Sequence, residues 1–351
     1  MTRIAIDAMG GDKAPYEIIA GAVWGAQEYN VALELVGKQD VIEQILDSIA
    51  EKGFLSDAGK IGKRRRIRVD ISKLDIKITH ASEVIEMGEH PGQAIRKKKK
   101  SSIVLAVNSV ATGSSDALVA AGSTGAAMAS SLFGLGRIPG IDRPAIAATL
   151  PTMKKPVVVI DAGANSSCTP EMLKQFAVMG YTFSRDVLGI SKPRVGVLNI
   201  GEEEGKGNDL AKNTYKLLEE YKGNINFIGN IEGRELLMNV CDIVVCDGFV
   251  GNVALKIVEG TASMLFRMIS QEFRSDFLSK IIGLMAKPFM KRIYERINYE
   301  EFGGALLLGV KGITVIAHGS SRAYAIKNAV RVARDAFESE INKTIAEAVE
   351  A

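Results

Sequence analysis

The chain has 351 residues, 47% of them apolar and 6% aromatic, which suits one large α/β unit or two domains and argues against a disordered chain. A formal net charge of +3 is too small to argue for nucleic acid as a partner. Cys168, Cys241 and Cys246 are too few for a disulfide framework, and no histidine lies near the last two, so zinc is disfavoured and reduced cytosolic thiols are expected.

In chain order, Arg3-Ile4-Ala5-Ile6-Asp7 reads as a strand and not as the apolar core of a signal peptide. Further strand-like runs fall at 32–36, 76–79, 117–121, 157–161, 194–199, 226–228, 243–246 and 314–317. Most are continuous runs of Val, Ile and Leu, as in strands buried on both faces. Helical patterns lie between them at 16–29, 40–52, 102–112, 125–135, 170–188, 209–221 and 253–273. This β-then-α alternation predicts a doubly wound, mostly parallel sheet formed by 1–351 as a single unit. No run reaches the ~18 uninterrupted apolar residues of a membrane span.

Two segments break the rhythm. The stretch 52–73, with Gly53, Gly59, Gly62 and Lys63-Arg64-Arg65-Arg66, reads as an exposed charged excursion. The stretch 276–298 has helical apolar spacing at Phe277, Leu278, Ile281, Ile282, Met285, Phe289 and Ile293. It is expected to protrude as an amphipathic segment at about 274–298, with Pro288 kinking or ending its first helix. From Ser320 to Ala351 the pattern reads as one long helix, capped by Ser320 or Ser321.

The strand ends carry the chemistry. Apolar runs stop at Asp7-Ala8-Met9-Gly10-Gly11-Asp12, Ala121-Gly122-Ser123-Thr124-Gly125-Ala126, Asp161-Ala162-Gly163-Ala164-Asn165, Asn199-Ile200-Gly201-Glu202 and Cys246-Asp247-Gly248-Phe249-Val250-Gly251-Asn252. In an open α/β sheet such breaks fall on one edge, beside helix N-termini that favour anions. Five loops facing one crevice predict a site for a small anion and an activated partner.

No G-x-S-x-G elbow is present, and His80, His90 and His318 sit in no known triad order. A Walker sequence and a clean G-x-G-x-x-G after the first strand are also missing. Cys168, before a helix expected at Pro170, is the best thiol candidate because a helix N-terminus lowers a thiol pKa; a packing cysteine is the plainer reading. Gly122-Ser123-Thr124-Gly125 suits an anion nest or a structural turn equally.

Asp247, Asn252 and Lys256 form the strongest set. Asn252 and Lys256 are four residues apart and share a helical face. A carboxylate, an amide and an ammonium there would orient phosphate and stabilise developing charge. The alternative is a capping acid with a solvated lysine. His318 suits an oxyanion donor or a structural role equally. The basic run Arg96-Lys97-Lys98-Lys99-Lys100 suits a solvated face or the docking of an acidic protein; aromatics are not interleaved, which disfavours nucleic acid.

These motifs, with Glu301-Phe302-Gly303-Gly304-Ala305 and Ala317-His318-Gly319-Ser320-Ser321, occur in the order seen in the bacterial phosphate acyltransferase family PlsX, which the chain resembles nearly end to end. The resemblance implies a fold like that of phosphotransacetylase and the isocitrate dehydrogenase group. It implies transfer of a fatty acyl group from acyl carrier protein to inorganic phosphate, giving acyl phosphate for phospholipid synthesis, with no metal or organic cofactor. It also implies a cytoplasmic homodimer in peripheral contact with the membrane, near the glycerol-3-phosphate acyltransferase that uses the product. By residue type and placement, Asp247 would orient or deprotonate phosphate, Lys256 would offset charge and Asn252 would donate to an oxyanion, all three acting in catalysis. Gly10, Gly11, Asp12, Ser123, Thr124, Gly125, Asn165 and His318 would bind the substrates. The segment 52–73 is longer and more basic than the family pattern leads one to expect. A nicotinamide-dependent dehydrogenase and a non-catalytic membrane scaffold are the alternatives; the first lacks its dinucleotide fingerprint and the second leaves the polar strand-end loops without a purpose.

Overall fold

Strands of uninterrupted Val, Ile, Leu and Ala can be stable only where helices cover both faces, and that is the arrangement in the computed structural model, which describes residues 1–56 and 64–350. The strands are β1 (Arg3–Asp7), β2 (Ala32–Gly37), β3 (Phe54–Ser56), β4 (Arg65–Ile67), β5 (Ile76–His80), β6 (Ala117–Ala120), β7 (Ala145–Leu150), β8 (Val157–Ile160), β9 (Arg194–Asn199), β10 (Asn226–Glu232), β11 (Ile243–Val245), β12 (Ala305–Leu308) and β13 (Ile313–Ile316). The helices are α1 (Tyr16–Tyr29), α2 (Gln39–Lys52), α3 (Pro91–Lys97), α4 (Ser102–Ala111), α5 (Thr124–Leu135), α6 (Pro170–Asp186), α7 (Asp209–Glu219), α8 (Gly248–Glu272), α9 (Phe277–Ile297), α10 (Ala323–Glu338) and α11 (Ile341–Glu350).

An 11-stranded sheet has the order β10-β9-β11-β8-β7-β12-β13-β6-β1-β2-β5. One parallel block joins β5, β2, β1, β6 and β13. A second joins β8, β11, β9 and β10. Between them β12 is antiparallel to both β13 and β7, and β7 is antiparallel to β8. Three successive reversals make the two parallel blocks run in opposite directions. The expectation that all the glycine breaks lie on one edge is therefore corrected. The cause lies in two strands that the sequence pattern does not reveal: β7 is half alanine, and β12 is Ala305-Leu306-Leu307-Leu308, with no β-branched or aromatic residue to favour a strand.

The C-terminal stretch is two helices, not one. The break at Ser339 and Glu340 uses a left-handed backbone at Glu340, φ 51°. It turns α11 back so that Ile341 and Ile345 are fully buried and α11 packs on α6. A straight helix over 323–350 would extend about 42 Å and carry both side chains past the core. The cap is Arg322, without a side-chain bond, in place of Ser320 or Ser321.

Helices α8 and α9 form an arm. Only Gly248 and Gly251 of α8 are buried, and no residue of α9 is. Helix α9 continues through Pro288. Proline removes the partner of the Leu284 carbonyl, and Leu284 is 73% exposed, so the break lies where solvent can satisfy that group. Helix α8 has 25 residues and is long and apolar enough, by length and composition, to cross a membrane. Counting uninterrupted apolar runs misses it because a few charges are spaced along it. In the charged excursion, β3 and β4 form an antiparallel pair; Gly59, Gly62 and Lys63 lie outside the described residues.

Candidate active site

A cleft of about 430 Å³ opens over the antiparallel centre of the sheet. Ile146 and Ala148 of β7, Ala305 of β12 and Ile316 of β13 line its base. The first block contributes Asp12, Gly122, Thr124, Gly125 and His318, and the second contributes Gly163, Asn252 and Lys256. Asn252 and Lys256 thus share a face, as their four-residue spacing predicts.

Gly251 explains why α8 starts here. A Cβ at that position would lie 1.9 Å from the Asp161 carbonyl oxygen, so only glycine lets the helix sit on the β8 loop. The Asp161 carboxylate shapes that loop. Its oxygens accept bonds from the N–H groups of Ile146, Gly163, Ala164 and Asn165 and from the Asn165 Nδ2, at 2.7–3.1 Å. Burial pushes its pKa up, and these donors oppose the shift.

Lys256 Nζ lies 3.0 Å from Glu259 Oε2 and 3.2 Å from His318 Nε2. His318 Nδ1 accepts the Ser320 backbone N–H at 3.2 Å and lies 2.8 Å from Ser320 Oγ. A backbone N–H can only donate, so this contact assigns Nδ1 as the acceptor and the ring proton to Nε2. An ammonium and an imidazole N–H then face each other, an arrangement that an anion's oxygen resolves by accepting from both. Gly122, Thr124 and Gly125, at the N-terminus of α5, line the same cleft and add the positive end of a 12-residue helix.

Other expected site residues do structural work. Asp247 Oδ1 accepts the N–H groups of Phe249 and Val250, both at 3.0 Å. It caps α8 and lines a separate hollow with Asn199 and Ile200, so the five loops do not all face one crevice. The Asn165 amide donates to Pro144 O and Asp161 Oδ2. Ser123 Oγ caps α5 by accepting the Ala126 N–H. Gly10 and Gly11 let the first loop close on the second: at Gly11, φ is +112° and a Cβ would lie 2.8 Å from Ala121 O. Asp12 follows at the rim, its N–H donating to Gly319 O at 2.8 Å.

Cys168 follows the plainer of its two readings, a packing cysteine. Burial, then the charges of Asp161 and Asp247, push its thiol up to about 12, which outweighs the neighbouring helix terminus. Glu259 was not foreseen; its place three residues after Lys256, on the same face, is the signal that finds it. Among the described residues no group of three or more His, Cys, Asp or Glu is placed to hold a metal ion.

Comparison with known proteins agrees with the resemblance. A model of the family described as fatty acid synthesis protein matches residues 2–344. The phosphate acyltransferase of Pelotomaculum thermopropionicum is 50% identical over 348 residues, covering 99% of this chain and 95% of that one. The phosphate acyltransferase of Desulforamulus reducens is 51% identical over 351 residues, covering 100% and 98%. Among solved structures, EutD phosphotransacetylase from Staphylococcus aureus aligns with a TM-score of 0.58 at 12% identity, over 96% of this chain and 94% of that one. A phosphotransacetylase from Streptococcus pyogenes gives 0.58 at 15%, over 100% and 94%. The last two are similar in fold.

Proposed function

The chain belongs to the fatty acid synthesis protein family, whose relatives at about half identity are phosphate acyltransferases, and we propose that its cleft transfers a fatty acyl group from acyl carrier protein to inorganic phosphate. The observation that carries this reading is the meeting of Lys256 and His318 as two donors beside the α5 N-terminus.

The reaction needs no protein nucleophile. A phosphate oxygen attacks the thioester carbonyl, forming a C–O bond and a tetrahedral oxyanion. Collapse breaks the C–S bond, giving acyl phosphate and a carrier thiolate, which takes the proton released by hydrogen phosphate. Lys256 and His318 hold phosphate oxygens, and the α5 amides offset their charge. Asn252 donates its amide to the oxyanion. Glu259 positions the Lys256 ammonium. Asp247 acts through α8, which it caps, and not as a base.

The exposed run Arg96, Lys97, Lys99 and Lys100 supports carrier docking at this mouth. It spans the last turn of α3 and the residues after it; Pro91 of α3 packs against Gly125, and Met87, just before α3, lines the cleft. An acidic carrier protein is its complement. The exposed stripe Val250, Val253, Ile257, Met264 and Met268 on α8 supports pairing with a second copy of the chain. Phe277, Leu278, Ile281 and Ile282 at the arm's tip, beside Lys280, support peripheral contact with the inner face of the membrane. There a glycerol-3-phosphate acyltransferase would consume the product.

The test is release of carrier-protein thiol from palmitoyl-acyl carrier protein, with and without phosphate, trapping acyl phosphate with hydroxylamine. Phosphate-dependent release is expected. Release without phosphate points to a thioesterase, and no release returns weight to a scaffold.

A further inference from the structure

A second, larger space runs along the inside of the arm. It measures about 900 Å³ and lies between α8 and α9. Its lining is mostly apolar, with Val258, Ala262 and Phe266 on α8 and Leu284, Met290 and Ile297 on α9. Leu150 and Glu259 line both this groove and the reaction cleft, so the two spaces adjoin. We propose that the groove holds the hydrocarbon tail of the acyl substrate and that its length limits the chains accepted. The proposal rests on the acyl-transfer reading of the cleft.

Helical geometry separates this surface from the exposed stripe. Ala262, Phe266 and Phe273 lie within about 40° of one another around α8, at about 100° per residue. Ile257, Met264 and Met268 lie on the opposite side. A partner seated on the stripe leaves the groove free for a ligand. The helices are zipped by the Phe266–Tyr294 ring contact, centroids 5.6 Å apart, and by Phe273 against Gly283.

Length points to a tail of particular size. From Glu259, on the groove, to the end of α8 at Glu272, the helix rises about 20 Å at ~1.5 Å per residue. An extended hydrocarbon advances roughly 1.25 Å per carbon from single bonds of about 1.5 Å. The groove therefore matches about 16 carbons. Arg274 and Lys280 stand at its far end, where a longer tail would strip water from charged groups. Arg267 and Lys287 also line it and are exposed; such long side chains can cover an apolar wall with their methylene stems while the charge stays in water.

The test compares kcat/KM for C4, C8 and C16 thioesters of acyl carrier protein. Ser270→Trp blocks the groove about 16 Å beyond Glu259 and is expected to lower the C16-to-C8 ratio at least tenfold. Ala262→Trp blocks it at about 4.5 Å and is expected to lower both C8 and C16 at least tenfold relative to C4. The shortest substrate reports that each variant is folded. Unchanged ratios overturn the proposal. So does an equal loss for all lengths accompanied by a change in oligomeric mass by light scattering, which makes the groove a seat for another copy. If the unaltered protein releases no thiol on phosphate addition at any length, the acyl-transfer reading fails and this proposal fails with it; retained turnover with unchanged ratios overturns the groove alone.

Discussion

Lys256 Nζ and His318 Nε2 meet at 3.2 Å although 62 residues separate them in the chain. The lysine stands on α8, after the second parallel block, and the histidine follows β13 of the first. The pair exists because the antiparallel centre of the sheet brings the two blocks together over one cleft.

Removing either donor is expected to disable phosphate use. Lys256→Ala should lower kcat/KM about 100-fold, the scale of a lost charge-stabilising donor, and His318→Ala should act in the same direction. Phosphate-dependent thiol release measures both. Full turnover by Lys256→Ala would remove the lysine from the scheme.

Asp247 offers a test of cap against base. Its carboxylate accepts two N–H groups at the start of α8, and loss of such a cap costs about 1 kcal/mol. Asp247→Ser, which can still cap, should retain most stability and turnover, whereas Asp247→Ala should melt earlier. A large loss of kcat in the serine variant with an unchanged melting temperature would restore a direct chemical role.

Glu34 should make the fold acid-sensitive. Burial works against its charge, but bonds from Ser109, Thr79, Lys77 and Ser115 outweigh it and hold its pKa at about 2. A depressed folded pKa gives stability that is present above the ordinary carboxylate value of about 4.3 and lost as pH falls toward 2. Glu34→Gln should cost about 2 kcal/mol at neutral pH and flatten the acid limb. Denaturant melts between pH 2 and 7 read both effects; a parallel offset at every pH would contradict the assignment.

Asp7 has the opposite sign. Burial raises its pKa to about 6, against a bond from Ser102 and those from the Met9 and Gly10 backbone, and its Oδ1 is buried without a partner. A raised folded pKa gives stability that is full below about 3.9 and lost as pH rises through 6. Asp7→Asn cannot ionise, so its stability relative to the parent should improve between pH 4 and 6.5, by about 3 kcal/mol. No relative gain over that range would show that Asp7 is already ionised in the fold.

Much of this protein is legible in its sequence because the relevant forces act locally. Continuous Val, Ile and Leu runs specify strands buried on both faces, and glycine at their ends marks where backbones approach closely. The 3.6-residue period alone puts Asn252 and Lys256 on one face. The ordered set of motifs points to the family. The reversal of the sheet is not legible, since β7 is half alanine and β12 has no β-branched residue, and both gain their strand form from neighbours on both sides, as where Ala147 pairs with Ile160 and Leu306. Nor is the division of labour among polar residues. Asp247, Asn165 and Ser123 carry the same chemistry as a catalytic set, but their distance from free backbone N–H and carbonyl groups decides that they cap and brace. Sequence determines which groups are available and which local periods they follow; only tertiary packing decides which of them remain facing the cleft, because hydrogen bonding and charge pairing fall off over a few ångströms while the chain brings His318 to Lys256 from 62 residues away.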